Sequence, residues 1–344
     1  MRPIKAVVVD DSLVMRQLIT RSLTKDPNIE VVGQASDPHQ ARTAIKKLNP
    51  DVITLDIEMP NMDGLEFLDK IMRLRPMPVV MVSTLTQKGA TATIKALELG
   101  AIDCVGKPNV DNPDSFDDLS AIVRQAAAAR VQARRQPPST NGQPARDTQI
   151  GQRSFQSELI AIGSSTGGVE ALLNVLRHFP ENCPPTVITQ HMPPLFTRSL
   201  AERLNNSAAP EVIEAADGMT VQPGRVVIAP GGEHHLAIEG RHSRVCRLRK
   251  APLINGHRPS VDFLFRSVAE TVGSRSVGVI LTGMGSDGAE GLLAMRQTGA
   301  RTIGQNEATS VVYGMPKAAF ECGAVGRQMP IQEIAAEALF GTAH

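Results

Sequence analysis

The chain has 344 residues, 42% hydrophobic and 21% charged, which favours two globular domains over one. Its formal net charge is +1 and its aromatic content is 3%, with no Trp and one Tyr. That balance excludes a bulk field for nucleic acid or anionic lipid, and stacking platforms for single-stranded bases.

From the N-terminus, β-branched runs alternate with helical patterns: AVVVD (6–10), VVGQA (31–35), VITLD (52–56), PVVMVS (78–83) and CVGK (104–107). Val14, Leu18, Ile19 and Leu23 show the helical spacing between them. The run at 6–9 is too short for a signal-peptide core. No span of about 20 apolar residues follows for a membrane helix, so the sequence predicts a cytoplasmic protein. Continuous apolar strands separated by helices predict an α/β fold with a parallel sheet covered on both faces. In such sheets the site forms beyond the carboxyl ends of the strands. There lie Asp10 and Asp11, Asp56, Ser83 with Thr84, and Lys107. The three carboxylates are hard oxygen ligands that suit Mg²⁺, and the hydroxyl and ammonium suit a phosphoryl group. The loop after Asp56, EMPNMDG, adds backbone carbonyls. One aspartate after a strand is an ordinary helix cap, but so many polar strand ends are hard to assign to capping.

These residues carry a resemblance. VVVDDS (7–12), LDIEMPNMDG (55–64), MVS (81–83) and GKP (106–108) resemble the receiver domain of two-component response regulators over about residues 3–125. The resemblance implies a flavodoxin-like, doubly wound domain in which Asp56 accepts a phosphoryl group from a histidine kinase. It implies Mg²⁺ held by Asp10, Asp11, Asp56 and the Glu58 backbone carbonyl, with Ser83 and Lys107 meeting the phosphoryl oxygens. Such a group adds about −1.5 to −2 charges, enough to draw a hydroxyl-bearing loop inward.

Next, residues 130–157 read RVQARRQPPSTNGQPARDTQIGQRSFQS, with five arginines against Asp147 and no aliphatic pattern. This composition predicts a mobile linker, its arginines solvated rather than bound to nucleic acid. The plan is a first domain at 1–125, a linker at 126–156 and a second domain at 157–344.

The second domain opens with LIAIG (159–163), then SSTGG and the helical VEALLNVLRHF. The segment from Gly163 to Gly167 fits three uses: a phosphate cradle at a helix N-terminus, a G-x-S-x-G nucleophile elbow presenting Ser165, or a plain capping turn. PTVITQ (185–190) ends at His191, which lies near Ser165 if the two strands are neighbours. His234, His235 and His257 read as loop residues. Then VGVILTGMGSDGAEGL (277–292) matches the dinucleotide fingerprint with Gly283, Gly285 and Gly288, and Glu307 near the ribose offset. Against a dinucleotide, the motif comes late in the domain and carries Asp287 where a pyrophosphate would sit. Asp287 is also placed to orient a histidine. Ser165, His191 and Asp287 thus form a candidate triad, in an order unlike that of α/β-hydrolases. The four cysteines, Cys104, Cys183, Cys246 and Cys322, are too dispersed for zinc or a disulfide framework and read as buried, inert thiols.

LIAIGSSTGGVEAL, TQHMPP, FTRSLAERL, IAPGGEHH, RPSVDFLF and ILTGMGSDGAEGL are similar to the catalytic domain of chemotaxis protein-glutamate methylesterases, CheB. With the receiver and linker, the resemblance covers essentially the whole chain. It implies a three-layer α/β catalytic domain with Ser165 as nucleophile, His191 as general base and acid, Asp287 as its orienting carboxylate and the Met284 N–H on the oxyanion. Implied too are hydrolysis of glutamate methyl esters and deamidation of glutamines on methyl-accepting chemotaxis proteins, without a cofactor for the esterase. The chemotaxis histidine kinase CheA is the implied phosphodonor, with membrane contact only through receptors and none with nucleic acid. An unphosphorylated receiver packed over the cleft is implied as well. Ser164 departs from the alanine found in many relatives. Two other function classes remain, a non-catalytic response regulator and a nicotinamide-dependent enzyme. A DNA-binding output is disfavoured by the balanced charge.

Overall fold

A computed structural model describes residues 2–59, 63–84, 86–108, 115–129, 155–240 and 243–341. Three residues of the EMPNMDG loop (60–62) and most of the expected linker (130–154) lie outside the described residues.

The first domain runs β1 (Ile4–Val9), α1 (Leu13–Leu23), β2 (Ile29–Ala35), α2 (Pro38–Leu48), β3 (Val52–Asp56), α3 (Gly64–Leu74), β4 (Val79–Ser83), α4 (Gln87–Glu98), β5 (Asp103–Gly106) and α5 (Leu119–Ala128). Its five strands pair in the order β2-β1-β3-β4-β5, all parallel. This is the flavodoxin-like order, and the crossovers reverse direction at β1 and β3. Every residue of β3 and β4 is buried, which is why these strands read as continuous apolar runs without alternation. The first four helices are capped by Ser12, Asp37, Asp63 and Thr86, each accepting a backbone N–H. Asp10, Asp11 and Asp56 are therefore not needed as caps. The last helix, α5, continues through Ala128, past residue 125.

The second domain runs β6 (Leu159–Ser164), α6 (Gly168–Leu176), β7 (Thr186–Gln190), α7 (Phe196–Asn205), β8 (Glu211–Glu214), β9 (Arg225–Ile228), β10 (His235–Glu239), β11 (Val245–Arg249), α8 (Val261–Thr271), β12 (Ser276–Ile280), α9 (Ala289–Gln297), β13 (Arg301–Gln305), α10 (Met315–Glu321), β14 (Arg327–Met329) and α11 (Ile331–Phe340). Seven strands form one parallel sheet in the order β14-β13-β12-β6-β7-β9-β8, while β10 and β11 make a separate antiparallel hairpin. Successive residues of β6 feed opposite faces. Ile160 and Ile162 pack with α6, α7 and α11, while Leu159 and Ala161 pack with α8, α9 and α10. Three layers result. The chain leaves β6 for β7 on one side and β12 for β13 on the other, so a topological switch point lies between the adjacent strands β6 and β12. A crevice at the carboxyl ends of these strands follows from that reversal.

Two expectations need correction. Cys104, Cys183 and Cys246 are buried but Cys322 is exposed, because it ends α10 at the surface. His235 is not a loop residue. It opens β10 fully buried, with Nε2 facing the Pro252 carbonyl and Nδ1 accepting from the Ser260 N–H. No helix among the described residues is long and apolar enough to cross a membrane.

Candidate active site

At the end of β6 the chain turns sharply through Ser165 and Gly167 into α6. Gly167 has φ 77°, and a Cβ there would lie 2.6 Å from the Val311 side chain, so this turn needs glycine. Backbone bonds hold the elbow: Ser165 N–H donates to the Thr282 carbonyl at 3.1 Å, and Gly168 N–H donates to the Ser165 carbonyl at 2.7 Å. Across the crevice, a Cβ on Gly283 would come within 2.8 Å of Ser165 Cβ. That glycine lets the β12 loop close on the serine.

Ser164 and Gln190 are register partners on β6 and β7, so Ser165 and His191 leave the sheet side by side. The buried Gln190 amide ties them together. Its Nε2 donates to the carbonyls of Ser165 (2.9 Å) and His191 (3.0 Å), and its Oε1 accepts from the Ser164 hydroxyl (2.7 Å). His191 Nε2 lies 2.8 Å from Asp287 Oδ2. Asp287 is buried and also accepts from the Val261 N–H (2.7 Å), the Ser260 hydroxyl (2.8 Å) and Asn255 Nδ2 (3.0 Å). Burial alone would raise its pKa, but these donors, His191 first, hold it well below the usual carboxylate range. An ionised carboxylate at Nε2 places the imidazole proton on that nitrogen. His191 Nδ1 is then an acceptor, buried and without a hydrogen-bond partner among the described residues. No hydrogen bond within the described residues occupies the Met284 N–H, beside Gly283.

The polar strand ends of the first domain also converge. Carboxylate oxygens of Asp10, Asp11 and Asp56 lie within 4.8 Å of one another, a hard-oxygen set that fits a divalent cation such as Mg²⁺. Lys107 Nζ reaches Asp56 Oδ2 at 2.8 Å and Asp10 Oδ2 at 3.0 Å. Burial pushes the Asp56 carboxyl up to about 6 against the pull of Lys107. Burial works against the Lys107 charge too, yet the two aspartates hold its pKa above the ordinary value. Glu58 meets the site through its backbone, its N–H 3.2 Å from Asp56 Oδ1. Ser83 is buried with its hydroxyl turned toward the carbonyls of Thr84 and Gly89 rather than toward Asp56.

The CheB methylesterase family profile matches residues 160–338, and the response regulator receiver domain profile matches residues 6–116. The chain belongs to the CheB methylesterase family. Across 99% of this chain and 97% of the relative, it is 58% identical to a Rhizobium johnstonii protein named protein-glutamate methylesterase/protein-glutamine glutaminase 1. A protein of the corresponding name from Agrobacterium fabrum is also 58% identical, over 97% of this chain and 95% of its own. The crystal structure of the Thermotoga maritima CheB methylesterase catalytic domain covers 53% of this chain and 96% of its own, with 40% identity and a TM-score of 0.51.

In this CheB-family chain the receiver closes over the serine. Leu97 and residues 100–104, from the end of α4 to the start of β5, share one cavity of about 40 Å³ with Ser165, Thr166, Gln190 and His191. The Thr166 hydroxyl donates to Asp103 Oδ2 at 2.5 Å, and burial raises the pKa of this carboxyl. Arg203 of α7 pairs with Glu98 of α4. The dinucleotide fingerprint has other uses here. Gly283 abuts Ser165, Gly288 has φ 92° at the start of α9, and the Asp287 carboxylate between them is filled by donors. Sequence reasoning overlooked Gln190, Asn255, Ser260, Asp103 and Thr166. Two of them had a local signal, Asn255 in the turn-forming Asn-Gly pair and Ser260 as the capping serine ahead of α8.

Proposed function

We propose that this chain is a phosphorylation-activated serine esterase. Its substrates are glutamate methyl esters on methyl-accepting chemotaxis proteins, and by the same route it deamidates receptor glutamines, in the cytoplasm, as the adaptation arm of bacterial chemosensory signalling. The observation that carries this is the His191–Asp287 bond of 2.8 Å beside a glycine-flanked serine. Ser165 Oγ attacks the ester carbonyl carbon while its proton passes to His191 Nδ1. The imidazolium so formed is held by the ionised Asp287. The Met284 N–H holds the oxyanion, a donor of this kind being worth about 2.7–4 kcal/mol in comparable sites. Collapse breaks the C–O bond to methoxide, which takes the proton from Nδ1 and leaves as methanol. Water then repeats the sequence on the acyl-enzyme. With glutamine the leaving group is ammonia, and neither route calls for a cofactor.

Asp56 is the phosphoacceptor for CheA. When bound, Mg²⁺ held by Asp10, Asp11, Asp56 and the Glu58 carbonyl supplies positive charge to the incoming phosphoryl group. Lys107 pairs with that group's charge. The Ser83 hydroxyl, now facing the backbone that leads into α4, rotates toward the phosphoryl oxygens and draws this backbone with it. Helix α4 packs on α6 and α7, so its shift loosens the cover over Ser165. Methylated receptor membranes test the proposal. Methanol release should rise when a small-molecule phosphodonor is added, and Asp56→Asn should lose that rise while keeping basal turnover. Absence of methanol release under every condition would overturn the esterase. Removing residues 1–140 should raise basal turnover roughly tenfold or more, as expected if the open state is a minor population of about 0.1–10%. Unchanged or lower turnover would overturn the inhibitory role of the receiver.

A further inference from the structure

We infer that His257 is a positioning residue of this same site: its ring lies flat on His191 and holds the imidazole in the plane where Nδ1 exchanges its proton. The inference rests on the esterase function proposed above. The two rings are 3.7 Å apart between centroids and inclined by 13°. His191 needs such support. Among the described residues the ring makes one hydrogen bond, Nε2 to Asp287, which fixes one corner, while Nδ1 has no partner. The last torsion of a histidine side chain is broad and roughly two-fold, so it resists rocking of the ring only weakly. A flat neighbour at van der Waals distance blocks that motion on one face.

The local sequence explains how His257 reaches this place. Residues 254–257 read Ile-Asn-Gly-His, and the Ile254 and His257 N–H groups donate reciprocally to each other's carbonyls at 3.1 and 2.9 Å. Both central residues have positive φ, 52° at Asn255 and 79° at Gly256, as a type I′ turn requires. The turn touches two members of the site. Asn255 Nδ2 donates to Asp287 Oδ1 at 3.0 Å and to Asp262 Oδ2 at 2.8 Å, while His257 covers His191. Burial, and then His191, push the His257 pKa down to about 4. His257 is uncharged at neutral pH, so it does not repel the imidazolium formed during catalysis and offers it a π face. Acting through His191 alone, it supports turnover and not substrate binding.

The test uses the full-length protein activated with a phosphodonor, with methanol release from methylated receptor membranes as the readout. His257→Ala should lower kcat roughly 10- to 100-fold, the scale of a catalytic group displaced by about 1 Å, with KM within about twofold of wild type. His257→Phe, flat and uncharged, should restore kcat to within about threefold. If the alanine protein does not fold, His257→Leu replaces it, apolar like Phe but not planar. A normal kcat in the Ala or Leu variant, a loss confined to KM, or a Phe variant as impaired as Leu would overturn the inference. Ser165→Ala serves as the control. Wild-type turnover there would sink the esterase itself, whereas an inactive Ser165→Ala beside a fully active His257→Leu sinks only the role of His257.

Discussion

Ser165→Ala is expected to lower methyl-ester hydrolysis by on the order of 10⁴- to 10⁶-fold, the scale found when a serine nucleophile is removed from comparable triads. The substitution deletes one oxygen and little else. The elbow is held by the Ser165 N–H on Thr282 and by the Ser165 carbonyl under Gly168 and Gln190, and none of these bonds uses Oγ. The fold and the receiver should therefore be intact, with Asp56 phosphorylated at the wild-type rate. What activity remains comes from the oxyanion donors and from substrate binding. Parallel measurements of methanol release and of phosphoryl incorporation check both halves. Near wild-type methanol release would remove Ser165 from the mechanism.

Asp287→Asn should cost about 10⁴-fold in kcat, through the tautomer of His191 rather than through lost contacts. The carboxylate accepts from His191, Asn255, Ser260 and Val261 at once. An asparagine has one acceptor oxygen, and its NH₂ would face donors. If that NH₂ meets His191 Nε2, the ring proton moves to Nδ1, and the atom proposed as base becomes a donor. The buried donors left without an acceptor should also cost stability, about 1–3 kcal/mol each. Thermal unfolding measured with the kinetics separates the two effects. A folded Asp287→Asn protein within tenfold of wild type would show that the carboxylate does not orient the base.

Much of this was legible in the sequence because it is local. Apolar runs ending in Asp10, Asp56, Ser83, Ser165 and His191 mark strands and name the groups at their carboxyl ends within a few residues. The parallel topology then brings those ends together. Adjacency of β6 and β7 was a condition attached to His191, and the register Ser164–Gln190 meets it. Cysteine burial was less legible, since Cys322 follows a surface helix and composition says nothing about which side of a helix end faces solvent.

By itself the sequence determined two parallel-sheet α/β domains, the polar groups at their strand ends and the glycines that let the loops approach. Only the tertiary structure decided how those groups meet. Of the aspartates near the crevice, Asp287 faces His191, Asp262 receives the Gly291 N–H and Asp103 crosses from the receiver to Thr166. The pairing of His191 with Asp287 spans 96 residues, and that of Asp103 with Thr166 spans 63. The physical reason is the same in each case. Strand and turn signals arise from neighbours along the chain, whereas the partner of a buried charge is chosen by which distant segments the core packs against it.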